Sequence, residues 1–210
     1  LTLIPFDAHL MINEPVKHVH DYIDAGSDII TVHAEVCDES SFGEICDMLN
    51  SNQVGIGLAI NPDTELPQWC YKFVELLDQV IIMSVVPGKS GQKFIESTHE
   101  KTRRIAKDLR EHKFEGYIEV DGGVNLENIG ACFEDGARAF VGGSAIIGQN
   151  DVRMIIKEFR NQVLESRRRL LIKKAHDLGG TELVNSWIDL HVVGEKKDKL
   201  VQIAKELGFQ

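Results

Sequence analysis

The chain has 210 residues, 43% of them apolar and 27% charged, with a formal charge of −10. That balance is ordinary for a soluble globular domain with a substantial core, and its sign argues against nucleic acid or an anionic membrane as the main partner. No apolar run approaches the roughly 18 residues of a membrane-spanning helix. Cys37, Cys46, Cys70 and Cys132 are scattered, with no C-x-x-C pair, which fits reduced thiols in a cytoplasmic protein better than a disulfide framework or zinc knuckle. The N-terminal stretch lacks the basic and apolar regions of a signal peptide and an initiator Met, and it opens within a strand-like run.

Strand-like and helix-like segments alternate through about three quarters of the length. Phe6 to Met11 reads as a strand in which His9 shares a face with Asp7 and Met11. Behind Pro15, apolar positions Val16, Val19, Tyr22 and Ile23 give a helix that stops near Gly26. Asp28 to His33 is the next strand, and a helix follows around residues 42–49. Val54 to Ile60 is a third strand, closed by Asn61-Pro62, with Thr64 placed to cap a short helix. Gln79 to Val85 is almost continuously apolar, as a strand covered on both faces should be.

A long helix is expected over about residues 94–112. Tyr117 to Asp121 alternates apolar and acidic residues and leads into Gly122-Gly123. Asn125 reads as the cap of a helix through Ile129 and Cys132, and residues 137–142 as a sixth strand. Beyond residue 151 a helix runs to Gly179-Gly180, and Thr181 and Gly194 divide the remaining tail into further helical segments. Trp187 to His191 fits helical spacing better than a permuted catalytic strand.

Strict β-α alternation predicts a parallel sheet with helical crossovers, either a doubly wound sheet or a (β/α)8 TIM barrel. Polar and glycine-rich residues collect after the strands, which is the face where barrels carry their chemistry. Six units are visible and a closed barrel needs eight, so the barrel reading calls for two more units upstream.

Candidate chemistry sits at the strand ends. Asp121 is a carboxylate followed only by glycines, a place suited to proton transfer or metal binding. His9 and Asp121 together offer a nitrogen and an oxygen donor for a divalent cation such as zinc, iron or manganese. Gly88, Lys89, Ser90 and Gly91 follow a buried strand and precede a helix, where backbone N–H groups can meet phosphate. Gly122-Gly123 and Gly143-Ser144 would occupy the two loops that frequently bind phosphate in barrels, if Asp121 ends the seventh strand.

Asp7-Ala8-His9-Leu10-Met11, Gly57 to Pro62, Met83 to Ile95, Glu119 to Val124 and Gly143 to Ile146 resemble the ordered signatures of the ribulose-phosphate 3-epimerase family, over about residues 4–165. The resemblance implies a TIM barrel of the ribulose-phosphate-binding type, with units 3 to 8 in residues 1–165 and a helical extension in 166–210. It implies interconversion of D-ribulose 5-phosphate and D-xylulose 5-phosphate by two aspartates through an enediolate stabilised by one divalent ion (Zn, Fe, Mn or Co). Carried over, Asp121 is one acid/base group and a metal ligand, and His9 is a metal ligand at the substrate. Met11 and Met83 line the site, and phosphate lies on amides of Gly88, Lys89, Ser90, Gly91, Gly122, Gly123, Gly143 and Ser144. The expected partners are a ketose phosphate and a second copy of the chain in a homo-oligomer.

Two departures stand against the family pattern. The usual Pro-Gly-Phe-Gly-Gly-Gln is Pro87-Gly88-Lys89-Ser90-Gly91-Gln92 here, and no His-x-Asp occurs in the 210 residues. In the family, the first two strands supply that motif, and with it the second histidine ligand and the partner aspartate. A 3-epimerase of another ketose phosphate such as allulose 6-phosphate, or a non-catalytic sugar-phosphate binder, are the alternative readings.

Overall fold

Six parallel strands lie side by side in chain order in this computed structural model. They are β1 (Asp7–Leu10), β2 (Ile29–His33), β3 (Gly55–Ile60), β4 (Gln79–Met83), β5 (Tyr117–Asp121) and β6 (Ala139–Val141). The structure describes residues 4–89 and 91–179. Helices α1 (Val19–Asp24) and α2 (Glu39–Ser51) follow the first two strands, and a 3-10 turn (Gln68–Lys72) follows the third. Helices α3 (Ser97–Glu111) and α4 (Ile129–Asp135) follow β4 and β5. After β6 come the short α5 (Ser144–Ile147) and the long α6 (Val152–Gly179).

Strands β2 to β5 bury both faces, which explains the nearly unbroken apolar runs in the sequence. Outward-facing Ile30, Val32, Leu58, Ile60, Val80, Ile82 and Val120 are wholly inaccessible and pack on Ile45, Leu49, Ile105, Leu109 and Cys132 of the helices. Inward-facing Ala59, Ile81, Met83 and Val85 form a second, smaller cluster. Beside it lies a polar layer, in which Gln79 Nε2 donates to Asp7 Oδ2 at 2.7 Å and to Thr31 Oγ1 at 2.6 Å. Gly57 makes room for that layer, since a Cβ there would lie 2.0 Å from Thr31 Oγ1. The result is a TIM-barrel-type α/β fold with six consecutive units and a filled interior. Among the described residues, no strand pairs with the outer edge of β1 or β6.

Two capping expectations are corrected. Thr64 caps no helix, because Pro67 precedes the turn that starts at Gln68 without a side-chain cap; its hydroxyl goes to Glu35 instead. Asn125 stands ahead of α4, which begins at Ile129, and its Oδ1 accepts the amides of Glu127 and Asn128 to close the preceding turn.

Helix α6 is continuous past residue 165 and rests against α4, with Phe159, Ser166 and Ile172 buried. The approach is close at Gly130, where a Cβ would lie 2.7 Å from Ser166 Oγ. The segments expected after Gly180 lie outside the described residues. All four cysteines are free thiols. Burial pushes Cys46, Cys70 and Cys132 up to about 12 and Cys37 up to about 11. No helix among the described residues is long and apolar enough to cross a membrane.

Candidate active site

Parallel pairing aligns the strands so that their C-terminal ends open on one mouth, and the inward alternation of β1 and β5 delivers His9 and Asp121 to it. His9 Nδ1 lies 3.5 Å from Asp121 Oδ2, and both side chains are mostly buried, at 15% and 18% exposed. Ser84 fixes the end of β5: its backbone N–H donates to the Asp121 carbonyl at 2.7 Å, and its hydroxyl donates to the same carbonyl at 2.9 Å. The Asp121 carboxylate is thereby presented from a pinned backbone.

The remaining expected residues meet in one cavity of about 470 Å³ beside Asp121. Met83 and Met11 contribute apolar wall, Met83 buried in the inner cluster and Met11 half-exposed at the rim. Gly88, Lys89, Gly91, Gly122, Gly123, Gly143 and Ser144 line the same space. Ser90, expected among them, lies outside the described residues.

The glycine loops are shaped by close contact. Gly123 has φ of +62°, and a Cβ there would lie 2.5 Å from Phe94 N, so the turn after β5 packs directly on the backbone of the loop after β4. That loop is stapled by Gln92, whose Nε2 donates to the carbonyls of Val86 at 2.6 Å and Lys89 at 2.9 Å. The amides of Gly122, Gly123, Gly143 and Ser144 are donors in none of the turn and loop hydrogen bonds of the described residues. Backbone amides at turns of this kind are suited to an anionic ligand.

Sequence reasoning missed His33 and Glu35. His33, at the end of β2, brings Nε2 to 2.9 Å from His9 Nε2, and its Nδ1 lies 3.2 Å from Glu35 Oε2. The two imidazoles are tilted by only 14° with centroids 5.0 Å apart. Because the nitrogens are so much closer than the centroids, the rings meet edge to edge rather than face to face. The signal was the His-x-Glu triplet His33-Ala34-Glu35 at a strand end.

Burial alone would raise the Glu35 carboxyl. Hydrogen bonds from His33, Thr64 and the Asn61 amide outweigh it and hold the group down at about 2. The Asn61 loop is itself anchored by Lys101 of α3, whose ammonium donates to the carbonyls of Asn61, Pro62 and Thr64. Burial pulls Lys101 down to about 8.

Glu119, two residues before Asp121, also faces inward. Burial, then the charges of Asp7 and Asp121, push it up to about 7.

Two ligands at about 2.1 Å from one tetrahedral ion stand about 3.4 Å apart. The 3.5 Å between His9 Nδ1 and Asp121 Oδ2 matches that span, so the pair fits a shared cation. Among the described residues, no group of three or more His, Cys, Asp or Glu is arranged to hold a metal, so the pair is a partial donor set.

The sequence profile of the Ribulose-phosphate 3 epimerase family matches residues 1–147. Ribulose-5-phosphate-3-epimerase, chloroplastic, of Arabidopsis thaliana is 40% identical over 157 residues, which is 75% of this chain and 56% of that protein. Ribulose-phosphate 3-epimerase of Escherichia coli is 38% identical over 159 residues, covering 76% and 69% of the two chains. The Bacillus subtilis enzyme of the same name is 38% identical over 161 residues, covering 76% and 73%. The chain thus spans between about half and three quarters of the length of these relatives.

Solved structures similar in fold include 3-hexulose-6-phosphate synthase from Salmonella typhimurium, with TM-score 0.58, 17% identity, and coverage of 77% and 74%. Another is 3-keto-L-gulonate-6-phosphate decarboxylase from Vibrio cholerae, with TM-score 0.56, 16% identity, and coverage of 76% and 72%. At that identity they speak to the fold alone, and both share the parallel α/β architecture described above. The match over the first 147 residues carries all six strands, His9, Asp121 and the glycine loops, and places the chain in the ribulose-phosphate 3-epimerase family.

Proposed function

We propose that this chain carries β/α units 3 to 8 of a metal-dependent, cytoplasmic ribulose-phosphate 3-epimerase that interconverts D-ribulose 5-phosphate and D-xylulose 5-phosphate. The observation that carries the reading is that Asp121, 3.5 Å from His9, lines a cavity together with three glycine-containing loops. That cavity brings together a proton acceptor and backbone amides of small-residue turns, as a phosphorylated sugar with an acidic C–H requires.

Asp121 takes the proton from C3 or returns it, while the C–H electron pair moves into the C2–C3 bond and onto the carbonyl oxygen. His9 and Asp121 would hold the divalent ion, which when bound supplies polarisation of the sugar's C2 carbonyl and so acidifies the neighbouring C–H. Gly122, Gly123, Gly143 and Ser144 receive the phosphate, and Met11 and Met83 crowd the planar sugar and exclude water. Lys89 adds a positive charge at the phosphate end of the same cavity. Inversion needs an acid on the opposite face, and in this reading that aspartate and the remaining metal ligands come from units upstream of Leu1. A homo-oligomer is part of the same proposal.

Incubation of the purified protein with D-ribulose 5-phosphate in heavy water tests the reading. Deuterium entering at C3 with formation of D-xylulose 5-phosphate supports it, and a protein that binds the sugar phosphate without exchange overturns it. A higher kcat/KM on D-allulose 6-phosphate than on the pentulose phosphate would reassign the substrate.

A further inference from the structure

His33 and Glu35 play no part in the mechanism above, yet they form a directional chain that ends on His9. Glu35 Oε1 accepts the Asn61 amide at 2.6 Å, and its Oε2 faces His33 Nδ1 at 3.2 Å. An ionised carboxylate has no proton to give, so the hydrogen of this contact belongs to His33 Nδ1. A His33 tautomer with its hydrogen on Nδ1 has a bare Nε2. Its neighbour at 2.9 Å is His9 Nε2, which must donate. The remaining His9 nitrogen, Nδ1, keeps its lone pair and looks toward Asp121 Oδ2.

We propose that Glu35 and His33 are positioning residues that hold His9 as its Nε2–H tautomer and fix its ring, so that Nδ1 is the atom offered to the cation between His9 and Asp121. The inference rests on the metal-dependent reading above and adds a residue pair and an atom to it. The pinned pKa of Glu35, near 2, keeps the first link of the chain anionic throughout the neutral range. Burial of His33, 7% exposed in its side chain, keeps water from competing for the second link. Outer partners of this kind orient a ligating imidazole and set its basicity.

Glu35→Gln breaks the logic specifically. The two oxygens of Glu35 serve two donors, His33 Nδ1–H and the Asn61 amide, whereas a glutamine amide has one oxygen and one NH2. Turning the NH2 toward His33 forces His33 and then His9 into the opposite tautomers, and turning it toward Asn61 sets two donors against each other.

The test is 15N NMR of histidine-labelled protein, with Zn2+ affinity measured by chelator competition. Wild type should show His9 protonated at Nε2 and bare at Nδ1. Glu35→Gln should mix the tautomers and weaken Zn2+ by roughly 10- to 100-fold, while Glu35→Asp restores part of both. His9 carrying its proton on Nδ1 in the wild-type protein overturns the proposal without any variant, so a folding failure of the glutamine variant cannot shelter it. An unchanged tautomer and unchanged Zn2+ affinity in Glu35→Gln also overturns it. The pinned tautomer without C3 exchange would support the positioning pair and defeat the epimerase reading. Exchange with a tautomer indifferent to Glu35 would do the reverse.

Discussion

Glu119 and Asp121 project from the same face of β5, two residues apart, and the deeper one carries a raised carboxyl. Asp121 stands at the strand end beside His9. Glu119 sits one step deeper, 9% exposed, with its carboxyl pushed up to about 7 by burial first and then by Asp7 and Asp121. The folded state therefore holds a proton that the unfolded chain, with its carboxyl at 4.5, gives up earlier. Stability falls as pH rises from about 4.5 to 7, by on the order of 3 kcal/mol. Glu119→Gln should flatten that fall, raising the urea midpoint at pH 8 while changing it little at pH 4.5. Equal shifts at both pH values would rule out this origin.

Asp121→Asn keeps the shape of the strand end and removes the base. We expect the C3 exchange rate to drop by about 10²- to 10⁴-fold, with thermal stability nearly unchanged because the backbone anchors from Ser84 do not involve the carboxylate. Isotope exchange followed by mass spectrometry gives the rate directly.

Gly123→Ala should act on both folding and binding. The residue has φ of +62°, and its Cβ would press within 2.5 Å of Phe94 N, which is backbone and cannot swing aside. A destabilisation of about 1–3 kcal/mol is expected. The separated loops should also raise KM for the sugar phosphate more than they lower kcat. Denaturant titration and steady-state kinetics on the same preparation check the two arms.

Lys101→Met replaces a buried ammonium by an apolar chain of similar length and leaves the carbonyls of Asn61, Pro62 and Thr64 without their donor. The cost should be about 1–3 kcal/mol. Because the Asn61 amide and the Thr64 hydroxyl both serve Glu35, hydrogen exchange should accelerate at Asn61 and at the end of β2. Unchanged protection there would separate Lys101 from the site.

The strand framework could be read from the sequence because two-sided burial writes itself as apolar runs, as in Val80-Ile81-Ile82. His9 and Asp121 were equally readable, since period-2 alternation predicts that each leaves its strand facing the same way as its inward neighbours. His33 was not. It ends an apolar strand like any polar terminator, and only the register His9↔Thr31 places it one inward step above the residue paired with His9. Glu35 escaped for a related reason, because a search for His-x-Asp passes over His33-Ala34-Glu35. Thr64 looked like a helix cap because the sequence shows the hydroxyl ahead of a helical run, whereas Pro67 sets the start and Glu35 claims the hydroxyl.

The strand order β1-β2-β3-β4-β5-β6 means that every rung of the sheet joins segments adjacent in the chain. Among the described residues, no strand pairing waits for a distant segment to return, so loop-closure entropy is met in modest instalments along this arc. Assembly can advance unit by unit along the arc during synthesis, each new strand templated by the one just laid down. The histidines of β1 and β2 come into register early, and Asp121 arrives only when β5 docks. The site is therefore completed by the later-formed half of the arc, and partially folded chains would carry the imidazole pair before they carry the base.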